Sequence, residues 1–436
     1  MMMLLTAVAL ILFLFAAYNF ILALAGLAKP KPPPPSPPRH TFAVLVPAHN
    51  EARVIVENVR SLLAQDYPRE LFRIFVIADN CTDDTAAVAR TAGADEALER
   101  FDSKLRGKGH ALVWARDQVE RQYQPDAYCV FDADNVASRN FLQAMNTRLA
   151  QGERIIQGYL DTKNPSDTWV TKAISAAYWI SNRLWQLARS RLGLSNALGG
   201  TGYCVRRELL RQYEPDPTCL TDDLELQMRL LLEGFRVGWA HEAVTYDEKP
   251  LTLRQSWRQR VRWMQGHWDV ARRYALPLFK RALLNHSLAQ FDGALYCIQP
   301  ALAVVGTGVG LAMVLGACLL SQPQELAPPF SMPLHAWAIL LCAYGVYPML
   351  AMYLEGVRAR LYLNYAYSLL FAVTWLPITL LGMMKSRDKE WVHTEHTRCV
   401  SIEQVHAVDG GAVSSQTGPE ARPAQDTLRA SRQAAP

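Results

Sequence analysis

Cysteine pairs of the kinds that bind zinc or build disulfide frameworks are missing from this chain. Its 436 residues include eight cysteines, which are scattered singly, with no C-x-x-C pair and no zinc-like spacing. Such cysteines are typical of ordinary core packing in a reducing compartment. Neither a zinc centre nor a disulfide-stapled fold is therefore expected.

A strong excess of one charge is also lacking. The chain carries 45 basic and 40 acidic side chains, and its formal net charge is only +5. This balance does not indicate a nucleic-acid partner. The glycine-rich phosphate loop of nucleoside triphosphatases is absent as well, because no segment has its spacing of glycine and lysine.

Long uncharged segments are present instead, and the first lies at the N-terminus. Residues 4–28 contain no charged side chain, and a bilayer core needs about 20 apolar residues. A cleavable signal peptide fits less well, because no basic region precedes the run and the run is too long. Basic residues follow it, which predicts a cytoplasmic position for the next domain. We expect a transmembrane helix over residues 1–28 and an extended proline-rich linker over 29–40.

A second apolar region covers residues 286–385. It contains three predicted segments, near 296–320, 335–355 and 361–384. The 321–334 loop has no Lys or Arg and should face outward, whereas basic residues flank the last segment at both ends, which a single crossing cannot satisfy. Either this segment is re-entrant or interfacial, with a bend at Pro377, or the number of crossings differs by one.

The remaining C-terminal residues, 386–436, are expected to form a cytosolic tail that is disordered from about residue 403, since they show no periodicity. The whole pattern predicts a multi-pass protein of the cell (inner) membrane. Its polar domain, residues 41–285, should lie in the cytoplasm.

The first part of the polar domain alternates strand and helix patterns. Strands are predicted over 42–46, 73–78 and 128–131, and Asn50 is a candidate cap for the helix that follows the first strand. This alternation predicts an α/β fold with a mostly parallel sheet. Ligands of such sheets bind beyond the carboxyl ends of the strands. Three polar residues lie just past those ends, namely Asn50, Asp79 and Asp132.

Two short polar strings in this part are candidates for binding a diphosphate. Asp132-Ala133-Asp134 follows a predicted strand, and paired carboxylates can hold Mg²⁺ or Mn²⁺ against a departing diphosphate. A turn or helix cap is the alternative, because Asp is common there. Lys108 lies between two glycines, where a lysine can approach phosphate closely, with a surface turn as the alternative.

Two further strings are candidates for acceptor chemistry. Asp222 and Asp223 precede a helix, where one of them could act as a general base whose pKa is raised by its neighbour, or where Asp could simply cap the helix. Residues 257–263 are dense in Arg, which suits phosphate, and Trp, which suits a sugar ring. An amphipathic helix at a membrane surface would look similar. Residues 169–192 form another apolar and basic helix pattern, which fits an interfacial helix and a helix packed on the domain equally well.

Taken in order, these strings resemble the family 2 glycosyltransferases, in particular the membrane-integrated group of cellulose, chitin and hyaluronan synthases. The matching strings are Val46-Pro47-Ala48-His49-Asn50-Glu51, Asp79, Asp132-Ala133-Asp134, Gly199-Gly200-Thr201-Gly202, Thr221-Asp222-Asp223 and Gln259-Arg260-Val261-Arg262-Trp263. The last string fits the family's Q-[QR]-x-R-W pattern in full. One departure is Asp222, where the polysaccharide synthases often carry Glu.

The resemblance implies a cytosolic GT-A domain that transfers a sugar from a UDP-sugar with inversion, with Mg or Mn as cofactor. It implies that Asp223 is the general base and that Asp132 and Asp134 hold the metal. The donor-binding residues would be Asn50, Glu51, Asp79, Lys108, Asp132, Asp134, Arg260 and Arg262. The acceptor-binding residues would be Gly200, Thr201, Asp222, Gln259 and Trp263.

Three functions compete at this point. The first is polysaccharide or exopolysaccharide synthesis, for which the Q-[QR]-x-R-W pattern speaks. The second is a single transfer to a lipid acceptor of ceramide or polyprenyl-phosphate type, for which the Trp- and Arg-rich stretch at 169–192 speaks. The third is a membrane scaffold or transporter subunit with a degenerate transferase domain, because fold alone does not establish activity. The expected partners are therefore a nucleotide sugar, a saccharide or lipid acceptor and membrane lipid.

Overall fold

The computed structural model describes residues 2–319, 345–388, 398–400 and 402–404. It begins with helix α1 (Met2–Gly26), an uncharged helix at the place where the sequence predicts one. The proline-rich linker is not a free spacer along its whole length. Its last residues lie on helix α5 (Phe141–Ala150), where the buried Asn146 amide donates to the carbonyls of Ser36 and Pro37 at 3.2 and 3.1 Å.

A single sheet of eight strands forms the centre of the polar domain, in the order β3-β2-β1-β4-β7-β6-β8-β5. The strands are β1 (Phe42–Ala48), β2 (Phe72–Asp79), β3 (Glu96–Arg100), β4 (Ala127–Val130), β5 (Val136–Ala137), β6 (Ile155–Thr162), β7 (Tyr203–Arg206) and β8 (Gly238–Asp247). The first four strands pair in parallel, as does β6 with β8, but β7 is antiparallel to both neighbours and β5 to β8. The α/β class is confirmed, and the sheet is mixed because the strand–helix alternation ends near residue 165.

Helices cover both faces of the sheet. One face packs against α5 and two further helices, α2 (Ile55–Leu63) and α3 (Thr85–Ala92). The other face packs against α4 (Lys108–Glu120), α8 (Arg207–Gln212) and α9 (Asp222–Leu232). Side chains alternate along each strand, so Val44 of β1 contributes to the first core and Leu45 to the second. This double burial explains why the first strands are continuous apolar runs.

The turns that follow β1 and β2 differ from the sequence prediction. Asn50 does not cap a helix, because α2 begins only at Ile55, with Val54 at the cap position. Asn50 and Asn80 instead have left-handed backbones, with φ of 58° and 51°. Asn tolerates this conformation better than most residues, which lets each strand end in a tight turn.

The helical stretch predicted over 169–192 is present and packs on the domain. It consists of α6 (Trp169–Ser181), a π-helical segment (Asn182–Leu187) and α7 (Ala188–Arg191). The Trp179 indole donates to Asp161 at 2.8 Å, and the Asn182 amide donates to the Leu160 carbonyl at 2.8 Å, which ties the stretch to β6. Thr168 begins α6 with a capping box.

Further apolar helices follow this domain in the chain. After the long helix α10 (Leu253–Leu284), they are α11 (Leu288–Leu319), α12 (Gly345–Leu354), α13 (Asn364–Val373) and α14 (Trp375–Met384). Within the described ranges, two stretches are long and apolar enough to cross a membrane by length and composition, Leu288–Val309 and Ala359–Met384. The predicted outward loop at 321–334 and nearly all of the tail from 403 onward lie outside the described residues.

Candidate active site

Loops at the carboxyl ends of the parallel strands form the candidate site. Strands β1 and β2 pair in parallel, and β1 also pairs in parallel with β4, so the residues after these strands share one edge of the sheet. Asp79 ends β2, and Asp132 follows two residues after β4. The strand ends predicted from the sequence therefore lie side by side in the fold.

Asp132 is held by the lysine and the glycine loop that the sequence singled out. Its carboxylate pairs with the Lys108 ammonium, which also donates to the Gly200 carbonyl at 2.6 Å. Its backbone N–H donates to the Thr201 hydroxyl at 2.9 Å and to the Asn135 side-chain oxygen at 3.1 Å. The Asp132 side chain is 42% exposed, so it remains open to a ligand.

Asp134 lies deeper than Asp132 and is fixed in place. One of its carboxylate oxygens accepts from the backbone N–H of Glu248 at 2.9 Å and the other from the Asn135 amide at 3.2 Å. The buried Lys163 ammonium donates to the Asp134 carbonyl at 2.5 Å. Carboxylate oxygens retain further lone pairs in such bonds, so Asp134 still has acceptor capacity.

The adjacent residues Asp222 and Asp223 lie in the first turn of α9, and their carboxylates lie close to Gly109 and Gly200. A Cβ built on Gly109 would lie 3.2 Å from a carboxylate oxygen of Asp222, and one built on Gly200 would lie 3.1 Å from a carboxylate oxygen of Asp223. The two acids therefore lie against the start of α4, which carries Lys108, and against the loop that carries Thr201. Asp222 and Asp223 are half-buried and stand at the positive end of the helix dipole.

Burial raises the pKa of Asp223 to about 7, and the negative charge of Asp222 adds to the effect. Burial also raises the pKa of Asp222, although the nearby Lys108 ammonium opposes this. The charged form of Lys108 is in turn favoured by the carboxylates around it, which outweigh its burial, so its pKa lies above the usual value. The site thus combines a permanently charged cation with a carboxylate that titrates near neutrality.

Helix α10 brings an arginine to this cluster. A Cβ on Gly266 would overlap Thr221, so α10 approaches the start of α9 more closely than a larger residue at this position would allow. Arg262 lies one turn before Gly266 on the same helix face. The pKa of Arg262 is lowered by burial, which is opposed by Asp132 and the two carboxylates of α9. Gln259 and Trp263 lie on the same turns of α10 and are half-buried.

Arg260 does not join the carboxylates, although it belongs to the same motif. It is 1% exposed, its guanidinium carbon lies 3.8 Å from the centroid of the Phe371 ring, and it donates to the Thr374 hydroxyl at 2.8 Å. Residues two positions apart on a helix point about 200° apart. The helix that directs Arg262 to the site therefore directs Arg260 to α13 and α14.

The residues expected to bind the nucleotide lie at the other end of the site. Asp79 is buried and pairs with Arg100 at 2.5 Å. The Asn50 side-chain oxygen accepts from the Thr82 backbone N–H at 2.7 Å. Glu51 is buried at the start of the next turn, where its backbone N–H donates to a threonine hydroxyl at 2.9 Å. These contacts hold the loops that follow β1 and β2 against each other.

Sequence reasoning missed three residues that order this site. Arg100 fixes Asp79, and Asn135 and Lys163 hold the Asp132–Asp134 turn. The position of Asn135, directly after Asp134, was the one signal available in the sequence. Arg100 and Lys163 come from strand β3 and from the end of β6, and no local pattern connects them with these acids.

The carboxylates suit a divalent metal in part. Among the residues that the structure describes, no group of three or more His, Cys, Asp or Glu side chains could hold a metal ion. Two carboxylates with diphosphate oxygens and water are nevertheless the usual set for Mg²⁺ in nucleotide enzymes. Asp132, which is exposed, and Asp134, which is fixed beside it, therefore fit a metal that arrives with its nucleotide.

Comparisons with known proteins agree with this arrangement. Residues 37–266, more than half of the chain, match the family described as "Glycosyltransferase like family 2". The chain is 26% identical to a probable glycosyltransferase, YdaM, of Bacillus subtilis over 247 residues, which cover 55% of this chain and 58% of that protein. It is also 26% identical to the beta-monoglucosyldiacylglycerol synthase of Nostoc sp. over 381 residues, which cover 81% of this chain and 76% of that protein.

A solved structure shows the fold. The mannosyltransferase of Pyrobaculum calidifontis, in complex with GDP-Man and Mn2+, superposes with a TM-score of 0.58 at 20% identity, covering 88% of this chain and all of that one. The mixed, Rossmann-like sheet with carboxylates at the ends of its strands is thus the GT-A fold. The chain belongs to glycosyltransferase family 2 and is a glycosyltransferase.

Proposed function

We propose that this protein is an inverting membrane glycosyltransferase that moves a sugar from a UDP-sugar to an acceptor hydroxyl. The observation that carries the proposal is the pairing of opposite charges at one sheet edge. Lys108 and Arg262 lie beside a carboxylate, Asp223, whose pKa of about 7 lets it accept a proton near neutral pH. A donor diphosphate needs the cations, and an acceptor hydroxyl needs the base.

The proposed reaction is a single displacement. The acceptor hydroxyl gives its proton to the Asp223 carboxylate while its oxygen forms a bond to the anomeric carbon of the donor sugar. The bond between that carbon and the diphosphate oxygen breaks, and the electron pair leaves with the diphosphate. Attack opposite the leaving group inverts the anomeric centre, and one base suffices.

Lys108 and Arg262 would stabilise the negative charge that develops on the leaving diphosphate. Arg262 suits phosphate because its guanidinium presents a rigid fork of donors, whereas the lysine acts as a point charge. A bound Mg or Mn ion, held by Asp132 and Asp134, would add its own positive charge to this stabilisation. The half-buried setting strengthens each of these interactions relative to water.

Donor binding is proposed for the opposite end of the site. Asp79, oriented by Arg100, would accept a hydrogen bond from the uracil ring, and the loop of Asn50 and Glu51 would line the nucleoside. The acceptor would approach over Gly200 and Thr201, beside Asp222, Gln259 and Trp263. Arg260 is not proposed to contact the donor, because its own contacts are with Phe371 and Thr374.

Membrane attachment is part of the proposal. Two stretches, one in α11 and one that includes α13 and α14, have the length and composition of a membrane span, and α1 is uncharged along its whole length. Basic residues follow α1 and flank the C-terminal apolar segments, which supports a cytoplasmic catalytic domain in a multi-pass protein of the inner membrane.

Two acceptor classes remain proposals. The Q-[QR]-x-R-W pattern supports a growing polysaccharide as acceptor. A lipid acceptor is supported by a different observation: the similarity to the diacylglycerol-modifying relative extends over 81% of this chain and is not confined to the catalytic domain. The two acceptors predict products of very different solubility.

The test is nucleotide release by the purified full-length chain in detergent and lipid. A panel of UDP-sugars and GDP-mannose is offered with Mn²⁺ or Mg²⁺, with an Asp223→Asn variant as control. Release from one UDP-sugar that disappears in the variant supports the proposal. Release only from GDP-mannose would overturn the choice of nucleotide, and equal release by the variant would overturn the role of Asp223.

The acceptor is tested with the donor labelled in its sugar. Label in an organic extract identifies a lipid acceptor, and label in a polymer that stays in water identifies a polysaccharide. Because the donor assay precedes this one, a failure to find either product can be separated from a failure of donor turnover.

A further inference from the structure

The last apolar segment, Ala359–Met384, has the length and composition of a membrane span. We propose that it does not cross the bilayer but forms a lipid-facing layer on the catalytic domain. The proposal rests on the membrane attachment argued above, and it concerns the path of the chain, independent of turnover.

Helix α14 runs along α10, and hydrogen bonds connect the two at three points along their length. These bonds all join a polar side chain of α10 to the α14 segment. They link Arg260 to Thr374 at 2.8 Å, Trp268 to Thr379 at 3.1 Å and Arg272 to Ser386 at 3.0 Å. Because the first and last pairs are both separated by 114 positions in sequence, the two helices run in the same direction.

The approach of the two helices is close. A Cβ on Gly382 would overlap the side chain of Met264, so a larger residue would push α14 away from α10. The Gln265 amide also donates to the Lys385 carbonyl at 3.0 Å, one residue beyond the end of α14. Contact therefore persists along the whole of α14.

Helix α10 is itself fixed to the catalytic domain over the same stretch. Gly266 meets Thr221 at the start of α9, and the Tyr274 hydroxyl donates to Glu225 of α9 at 2.5 Å. Arg273 pairs with Asp216 at 2.9 Å. Because α14 lies along this part of α10 over the whole length of α14, it also lies along the domain and cannot turn away from it into the bilayer.

Helix α13 lies on the domain in the same manner. Its Phe371 ring meets Trp169 of α6 edge-on with 6.4 Å between centroids, and its Tyr367 ring lies 5.6 Å from the Lys172 ammonium. Helix α6 is in turn bonded to β6 through Trp179. Both halves of the segment thus rest on helices that belong to the catalytic domain.

The break between α13 and α14 excludes a re-entrant hairpin. The break falls at Thr374, which would be the deepest point of such a hairpin. Thr374 is instead bonded to Arg260, a side chain that is 1% exposed. Each helix has 10 residues and is about 15 Å long, about half of the ~30 Å bilayer core, so neither helix could cross the core alone.

Both flanks of the segment also return to the catalytic domain. Before it, the buried Glu355 pairs with Arg183 at 3.1 Å and lies 3.6 Å from His241 of β8. After it, Arg398 pairs with Asp167 at 2.9 Å. A single crossing would place these two flanks on opposite sides of the membrane, which one domain cannot reach.

The outer face of this layer is apolar and has no protein against it among the described residues. Five of its large side chains are more than half exposed, at 55 to 77%, and are Leu363, Leu369, Leu370, Val373 and Met384. The occupant that fits is the bilayer, because basic residues flank the segment at both ends and α14 also packs against α11, which has the composition of a span. Such an apolar face bordered by cations is the pattern of an interfacial helix.

The path of the chain is tested with single cysteines and a membrane-impermeant maleimide, in sealed vesicles of both orientations. The native cysteines other than the four buried ones are first replaced by serine, and they are Cys81, Cys318, Cys342 and Cys399. The introduced cysteines are Ala359→Cys and Arg387→Cys at the two flanks and Ser103→Cys as a reference on the catalytic domain, all at exposed positions. Labelling of all three from the same side is expected, and labelling of the two flanks from opposite sides would overturn the proposal.

The lipid-facing character is tested with a spin label at Leu370→Cys, again with Ser103→Cys as the matched control. In vesicles, oxygen should collide with the label at position 370 more often than a water-soluble nickel chelate does, and the order should reverse at position 103. A label at 370 that meets the nickel chelate freely, or neither reagent, would overturn the proposal, because the face would then be in water or covered by protein. Neither readout depends on sugar transfer, so an inactive preparation still decides the question.

Discussion

The protonation state of Asp223 should determine how the activity depends on pH. Burial and the charge of Asp222 raise its pKa from 3.8 to about 7. A general base works only when deprotonated, so kcat/KM should fall about tenfold for each pH unit below the pKa. Asp223→Asn removes the base and should lower kcat by about 10² to 10⁴, the usual contribution of general base catalysis.

Substitution of the two charged neighbours of Asp223 should shift the acid limb of the pH profile, which is the fall of kcat/KM below the pKa, in opposite directions. Asp222→Asn removes a like charge, which lowers the pKa of Asp223 and shifts the limb to lower pH. Lys108→Met removes a cation that favours the carboxylate, which shifts the limb to higher pH. Glu70→Gln changes an exposed carboxylate far from the site and serves as the control.

The assay is nucleotide release measured from about pH 5 to about pH 9, a range that covers both protonation states of a base with this pKa. The reasoning is refuted if the limb of Asp222→Asn coincides with that of the parent, or if Asp223→Asn keeps parental activity.

The pH dependence of stability provides a second readout. Because folding raises this pKa, the stabilisation is complete below the unfolded value of 3.8 and is lost as pH rises through about 7. Asp223→Asn should therefore melt higher than the parent above about pH 7, and this advantage should vanish toward pH 4.

Three further perturbations have expected outcomes. Arg183→Met leaves the buried Glu355 without its cation and should cost about 3–5 kcal/mol of stability, seen as a lower melting temperature that Glu355→Gln in the same chain partly restores. Gly266→Ala forces a Cβ into Thr221 and should cost about 1–3 kcal/mol together with activity, whereas Gly308→Ala, where a Cβ meets nothing, should change neither. Chelation of divalent metal should abolish donor turnover, and added Mn²⁺ or Mg²⁺ should restore it; full activity after chelation would refute a metal at Asp132.

Much of the candidate site was visible in the sequence because its parts are local. A residue just past a buried parallel strand must lie at the ligand-binding edge of the sheet, which placed Asp79 and Asp132 correctly relative to each other. The Asp222-Asp223 pair lies in the first turn of α9, next to the apolar pattern from which the sequence predicts a helix start. Such inferences depend on spacing over a few residues, which a chain carries in any fold.

Contacts between distant segments were not visible. The pairing of Lys108, at the start of α4, with Asp132 and the pairing of Arg100 on β3 with Asp79 on β2 depend on how separate elements of the fold meet. The antiparallel strand β7 was missed for a similar reason, since strand direction depends on the path of the chain between strands. The motif around Arg260 and Arg262 looked uniform in the sequence, but its two arginines point to different partners.

The sequence by itself determined the family, the α/β class and the order of the chemical groups, because these follow from local periodicity and from residues at fixed spacing. Only the tertiary structure decided what those groups touch and how the last apolar segment lies. Hydropathy measures how apolar a segment is, and a span and a layer on a domain have the same value. The bonds from α10 to Thr374, Thr379 and Ser386, which join residues more than 100 positions apart, are the observation that supports the proposed layer.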